Sequence, residues 1–452
     1  MRYFRFDRRP GGEEHEVDGR KLAAVAAALI SAAVSAGCPS RASAALPVQV
    51  FTPTADAVVG AGTPMTRQTL VVRAAPRSRA YLRFRVGDVR GGVASTGLRL
   101  RVIGPGSALL QVRAVSNRRW NERTLGARNA PPIGRVLARG RVRAGWATFD
   151  LGDAVSGPGV VQLALVSARG TVSVASRESP WKPRLRLGIA PLLLAAGDIG
   201  SCNTDGDDST GLLLDGVPAT IAALGDLAYP RGTAEQFADC YDPSWGPYRS
   251  RTRPAAGNHD FATPGASPYF AYWGSLAGLA GAGYYSYELG SWHVVVLNSN
   301  CRFVSCAPGS AQETWLRDDL ARHGTACTLA YFHHPLFSST RGTATPAVQP
   351  LWQDLYDAGA DVVLNGHAHN YQRFAPQSPT GAADPEPGIR EFVVGTGGNS
   401  HHAVGPPLAN QESTNDTAFG VLRLMLLERG YEWRFVPQRG AFFADAGAGE
   451  CH

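Results

Sequence analysis

From Val48 to about Leu187 apolar and polar residues alternate in short runs, among them Ala80-Tyr81-Leu82-Arg83-Phe84-Arg85-Val86, Leu98-Arg99-Leu100-Arg101-Val102 and Val160-Val161-Gln162-Leu163-Ala164-Leu165. Clusters of Gly, Pro, Asn and Ser separate them. A period of two places one set of side chains in a core and the other in water. With no helix-length amphipathic stretch in the segment, the pattern predicts an antiparallel β-sandwich. At Pro180-Trp181-Lys182-Pro183 the texture changes to unbroken apolar runs alternating with helical stretches, Ser310 to His323 and Ala347 to Ala358. That order predicts an α/β domain. The expected architecture is therefore an all-β sandwich over residues 45–187 followed by an α/β domain over 188–452, and a length of 452 residues suits two folded domains.

Five of the later apolar runs stop at a turn that carries metal-capable side chains. Leu192-Leu193-Leu194-Ala195-Ala196 leads to Gly197-Asp198-Ile199-Gly200, and Ile221-Ala222-Ala223-Leu224 leads to Gly225-Asp226-Leu227-Ala228-Tyr229. Arg253-Pro254-Ala255-Ala256 leads to Gly257-Asn258-His259-Asp260, and Thr328-Leu329-Ala330-Tyr331-Phe332 to His333-His334-Pro335. The last is Asp361-Val362-Val363-Leu364-Asn365-Gly366-His367-Ala368-His369, whose two imidazoles sit at i and i+2 and so point the same way from an extended backbone. Ligands of open α/β sheets gather beyond the carboxyl ends of strands, so these turns are expected to meet at one rim. Asp198, Asp226, Tyr229, Asn258, His333, His367 and His369 then offer more donors than a single zinc takes, which predicts two metal ions sharing a hydroxide. Singly each residue has a plainer account: Asp198 and Asp226 as turn residues, Tyr229 as packing, His334 as support. Together they have none that a fold alone requires. His293 alternates into a strand and reads as structural, and His323 and His452 read as surface residues.

Composition is globular, 44% hydrophobic and 18% charged, and the formal charge of +7 conceals an asymmetry. Residues 45–190 carry 23 Arg/Lys against 6 Asp/Glu, a balance of +17, while 191–452 carry 14 against 26, a balance of −12. Outward strand positions account for the arginines; a surface for an anionic partner is the alternative. Residues 1–44 read as a secretory signal peptide. Arg2, Arg5, Arg8, Arg9 and Lys21 precede an apolar run from Leu22 too short to span a membrane, and Ala42-Ser43-Ala44 follows. Lipoprotein anchoring at Cys38 is the weaker variant. Beyond the leader Cys202, Cys240, Cys301, Cys306, Cys327 and Cys451 form an even set, expected as disulfides in an oxidising compartment, with Cys301 and Cys306 near enough to close a small loop.

The pieces Tyr81-Leu82-Arg83-Phe84, Trp120-Asn121-Glu122, Asn129-Ala130-Pro131 and Ser176-Arg177-Glu178 resemble secreted bacterial sandwich modules similar to carbohydrate-binding modules. The likeness implies contact with a glycan or cell surface, or a spacer role. From about Leu192 to Arg439 the chain resembles the calcineurin-like metallophosphoesterases, in their purple acid phosphatase-like branch, whose fold is a four-layer α/β/β/α sandwich. Carried over residue by residue, the likeness implies that Asp198, Tyr229 and His369 bind one metal. Asp226 bridges, and Asn258, His333 and His367 bind the other. Gly200 stands where many metallophosphoesterases have His, and Tyr229 is the purple-branch substitution, which implies Fe(III) beside Fe(II), Zn(II) or Mn(II). The chain departs from the plant-type pattern after His333, with Ser338-Ser339-Thr340-Arg341-Gly342-Thr343 where that pattern has a further His pair. Candidate proton donors are then His259 and His334, and candidate phosphate contacts Arg341, His401 and His402. The expected activity is hydrolysis of phosphate monoesters by metal-bound hydroxide, the alternative a phosphodiesterase or nucleotidase with the same centre. A protein acting chiefly through its sandwich is the reading from another class. No nucleic-acid-binding module and no membrane span is expected.

Overall fold

The computed structural model describes residues 46–60, 68–116, 119–324 and 327–452. The segment expected to be a leader, with Cys38 and Ala42-Ser43-Ala44, lies outside the described residues. The alternating runs form the expected strands. In Gly92–Ile103 the side chains of Leu98, Leu100 and Val102 are buried, whereas Arg99 and Arg101 lie on the solvent-facing side. The long strand Gly159–Ala175 joins the layers of the sandwich. Its first half pairs with Ser78–Val86 and Ala108–Val115, its second with Thr69–Arg73 and the end of Gly92–Ile103. The core between them, with Leu82, Phe84, Leu110, Leu163 and Val174, is apolar, each fully buried side chain contributing roughly 1.5–3 kcal/mol.

The change of sheet falls at Pro191. Arg184–Ala190 still pairs within the sandwich, and Leu192–Ala196 opens a six-stranded sheet. There Leu192–Ala196, Thr220–Leu224 and Thr252–Ala255 run parallel, and Gly420–Leu427 closes antiparallel on the first of them. A seven-stranded sheet holds the parallel set Trp292–Val296, Cys327–Tyr331, Val362–Asn365 and Arg390–Val394. Leu193, Ala195, Ile221 and Ala223 of one sheet share a core with Val294, Val296, Leu329 and Leu364 of the other. The five donor turns thus leave two sheets, the two β layers of the expected four-layer fold, three from the first and two from the second.

The expected helices form, with trimmed ends. Ala311–Arg322 begins at Ser310, whose side chain caps Glu313 N–H. Gln349–Asp357 starts later than its apolar pattern because a single 3-10 turn, Pro346–Val348, precedes it. Leu316, Leu351, Trp352 and Leu355 of these helices pack on Val295, Ala330 and Val363 of the second sheet. The connections out of the first sheet carry only short helices, such as Gly206–Gly211 and Ser267–Trp273.

All six cysteines expected to pair do so, as Cys202–Cys240, Cys301–Cys306 and Cys327–Cys451. The first joins the turn after Leu192–Ala196 to the segment after Thr220–Leu224, two of the donor connections. The last spans 124 positions and secures the end of the chain to the strand that leads to His333. Chain-entropy arguments assign such a long loop on the order of 4–5 kcal/mol. A Cys327→Ala/Cys451→Ala variant is expected to lose about 2–5 kcal/mol of stability, read as a lower urea midpoint; an unchanged midpoint would show that the bond contributes nothing.

Candidate metal centre

Three donor residues occupy left-handed backbone that non-glycine residues rarely adopt: Asp198 at φ 61°, Asp226 at φ 53° and His367 at φ 67°. Each such residue costs of order 1–3 kcal/mol, so the surroundings must hold it. They do, through main-chain hydrogen bonds. Asp198 N–H donates to Gly225 O at 3.0 Å, Asp226 N–H to Asp260 Oδ2 at 3.0 Å, and His367 N–H to Asp198 Oδ2 at 2.8 Å. Two glycines allow the turns to approach this closely. A Cβ at Gly225 would enter the His333 ring, and one at Gly257 would enter Asp226.

The side chains converge as a chain of contacts. Tyr229 Oη lies 2.8 Å from Asp198 Oδ1, 3.1 Å from Asp226 Oδ2 and 3.1 Å from His369 Nε2. His369 Nε2 is 3.2 Å from Asp198 Oδ1. On the far side of Asp226, His333 Nε2 is 3.2 Å from Asp226 Oδ2 and 3.1 Å from Asn258 Oδ1. His367 packs edge-on to His333, ring centroids 5.1 Å apart, and lines the same cavity as Tyr229, Asn258 and His369, about 390 Å³ in volume. All seven predicted donors are therefore brought together.

The donor chemistry fits cations. His333 Nδ1 lies 2.9 Å from Leu224 O, a carbonyl that can only accept, so Nδ1 carries a proton. A neutral His333 then turns its Nε2 lone pair toward two oxygens that are themselves acceptors, an arrangement that calls for a proton or a metal ion in the gap. Burial opposes charge on Asp226 and Asp198, yet imidazoles prevail. His333 and His259 hold Asp226, and His369 and His333 hold Asp198, below the usual carboxylate range. Burial also opposes the charge of His333, but Asp226 outweighs it and pushes the imidazole up to about 9. The Tyr229 phenol is driven far above its ordinary value by burial and by Asp198 and Asp226, so a phenolate there requires a cation.

The remaining candidates divide. His259 is partly exposed, lines the cavity and keeps Nε2 3.9 Å from Asp226 Oδ2; its Nδ1 donates to Pro230 O at 2.7 Å. His334 contacts Ser299 Oγ through Nδ1 at 2.8 Å and is pushed down to about 2 by burial and by His333 and His367. His402 lines the cavity and stacks on His369 with centroids 3.9 Å apart. His401 instead stacks on Phe419, and Arg341 is exposed and outside the cavity lining.

Sequence reasoning missed Asp260. Its buried carboxylate accepts from the N–H groups of Asp226, Leu227 and Gly257 at 3.0, 3.2 and 2.8 Å, tying the second donor turn to the third. Its place directly after Gly257-Asn258-His259 was the available signal. Asn203, Asn399 and Ser400 also line the cavity, and Ser400 Oγ meets His369 Nδ1 at 2.6 Å. Nothing local in the sequence marks these three.

Residues 192–371 match the model of the calcineurin-like phosphoesterases, and residues 47–188 match carbohydrate-binding module family 96. Among curated proteins the chain is similar to purple acid phosphatase 15 of Arabidopsis thaliana, 26% identical over 245 residues, 46% of this chain and 45% of that protein. It is also similar to probable inactive purple acid phosphatase 9 of the same plant, 23% identical over 44% of this chain and 36% of that one. The chain thus spans under half the length of these relatives. Among solved structures it resembles purple acid phosphatase PPD1 from yellow lupin (Lupinus luteus) seeds at 15% identity and a TM-score of 0.49, over 88% of this chain and 74% of that chain.

Asp260→Asn replaces an acceptor oxygen by a donor facing N–H groups. It is expected to cost about 1–3 kcal/mol of stability and to weaken metal binding roughly 10–100-fold. Urea titration and equilibrium dialysis read the two effects, and wild-type values in both would remove the positioning role.

Proposed function

We propose that this protein is a secreted phosphatase acting on phosphate monoesters, since residues 192–371 match the model of the calcineurin-like phosphoesterases and the chain is similar to purple acid phosphatases. The observation that carries the reading is the convergence of Asp198, Asp226, Tyr229, Asn258, His333, His367 and His369 on one cavity. Likeness alone does not suffice, since one relative is itself named as probably inactive. The metals proposed are Fe(III), held by Asp198, Tyr229 and His369, and Fe(II), Zn(II) or Mn(II), held by Asn258, His333 and His367. When bound, such a pair supplies Lewis-acid activation of water and neutralises charge on the transferring phosphoryl group.

Asp226 lies between the Tyr229 and His333 sides, with Oδ2 near both, and would be shared by the two ions. His333 keeps Nε2 available because Leu224 O takes the Nδ1 proton. His259 is the proton donor to the leaving oxygen. The Pro230 carbonyl fixes its ring through Nδ1, and the partly exposed ring lines the cavity with Nε2 3.9 Å from Asp226 Oδ2. His334, half-buried and facing Ser299, supports the turn instead. His402, Asn203, Asn399 and Ser400 supply polar contacts to the phosphoryl group or its ester.

The sandwich, matching family 96, holds the enzyme on a glycan. Trp146 and Trp181 are exposed there, with Arg99 over the Trp146 ring at 4.3 Å and Arg101 within 5.8 Å of both rings. The disulfides suit the oxidising surroundings of a secreted protein, and among the described residues no helix is long and apolar enough to cross a membrane.

Asp226→Asn is expected to lower turnover of a phosphate monoester by about a thousandfold or more with the fold intact by circular dichroism, since a bridging charge is removed. A panel of monoesters, diesters and nucleotides tests the substrate class, and preference for a diester would replace the monoester reading. Iron-loaded protein should absorb in the visible, and Tyr229→Phe should abolish that band; an active, colourless enzyme would rule out the iron–phenolate pair.

A further inference from the structure

A second group of metal-capable side chains lies at the other end of the seven-stranded sheet. Glu288 and His293 are cross-strand partners in the pair Tyr285–Leu289 and Trp292–Val296. Helix Ala311–Arg322 brings Asp319, and His323 just past its last turn, against them. His293 stands near the start of its strand, whereas the catalytic turns leave the carboxyl ends of its parallel neighbours.

Both ring nitrogens of the buried His293 face carboxylates. Nδ1 is 2.8 Å from Glu288 Oε1 and Nε2 is 2.8 Å from Asp319 Oδ2. Asp319 is buried and also accepts from Ser286 Oγ at 3.0 Å. A buried carboxylate behind one imidazole nitrogen orients a metal-binding histidine, because it keeps the proton on that nitrogen and the lone pair on the other. The other nitrogen here faces Glu288, whose side chain is 49% exposed and open to an ion from solvent. His323 donates through Nδ1 to the Asp319 carbonyl at 2.9 Å, which leaves its Nε2 lone pair available. One ligand atom each from Glu288, His293 and His323 lies within 4.8 Å of the others.

We propose that Glu288, His293 and His323 bind a zinc-class divalent cation at an accessory site separate from the catalytic centre, with Asp319 orienting His293. Two imidazoles and one carboxylate suit Zn(II), with water as the fourth ligand, whereas magnesium and calcium take oxygen donors. The His293 and His323 rings are stacked, with centroids 4.4 Å apart and planes at 12°. The His323 side chain is 39% exposed, which leaves this side of the group open to an ion and its water. The ion takes the place of the proton shared between His293 and Glu288. It links the edge strand Tyr285–Leu289 to the end of the helix.

The test uses the full chain with its catalytic metals in place, dialysed against Zn(II), with bound metal counted by elemental analysis. Wild type should bind one zinc per chain beyond the catalytic complement. Glu288→Gln and His323→Asn, both at partly exposed positions, each remove one of three protein ligands and should abolish the extra zinc without changing turnover of the monoester. Crystals soaked in zinc should give an anomalous peak between Glu288 and His293. Absence of an extra zinc in wild type, an extra zinc retained by both variants, or a peak elsewhere overturns the proposal.

Discussion

Two buried carboxylates facing one phenol are the constraint on which the rest of the molecule depends. Asp198 and Asp226 are almost wholly removed from water, and each lies within hydrogen-bond distance of Tyr229 Oη. A single phenolic proton cannot satisfy both carboxylates and His369 Nε2 as well. Charge of this density in a low-dielectric interior is tolerated only when positive charge is supplied. The imidazolium of His333 can supply some of it, and metal ions more. A stability cost is accepted here in return for a place where cations can bind.

Much of the surrounding structure serves to hold that arrangement. Asp198, Asp226 and His367 sit in left-handed backbone, and the hydrogen bonds that keep them there come from the neighbouring donor turns. Asp260 ties two turns through three main-chain N–H groups, and Cys202–Cys240 joins the connections that follow Asp198 and Asp226. Strain in one turn is therefore relieved by contacts made in another. No turn would hold its geometry alone.

Much of this was legible in the residues themselves. Alternation in Leu98-Arg99-Leu100-Arg101-Val102 reported a half-buried strand, with the arginines on its solvent-facing side. The seven donors announced themselves because each follows an apolar run and most follow a glycine. Less legible was the lining of the cavity. Arg341 and His401 were as plausible as His402 on local grounds, yet only His402 lines it.

By itself the sequence determined which segments become strands, which six cysteines were available to pair, and which side chains could bind metal, because periodicity and donor chemistry are local properties. Tertiary structure decided the rest. It split the donor turns between two sheets that share one core, chose the partner of each cysteine, and placed Asp260 under the site. Those outcomes depend on which backbones approach within a few ångströms. That distance is set by how the sheets pack, and no short stretch of residues encodes it.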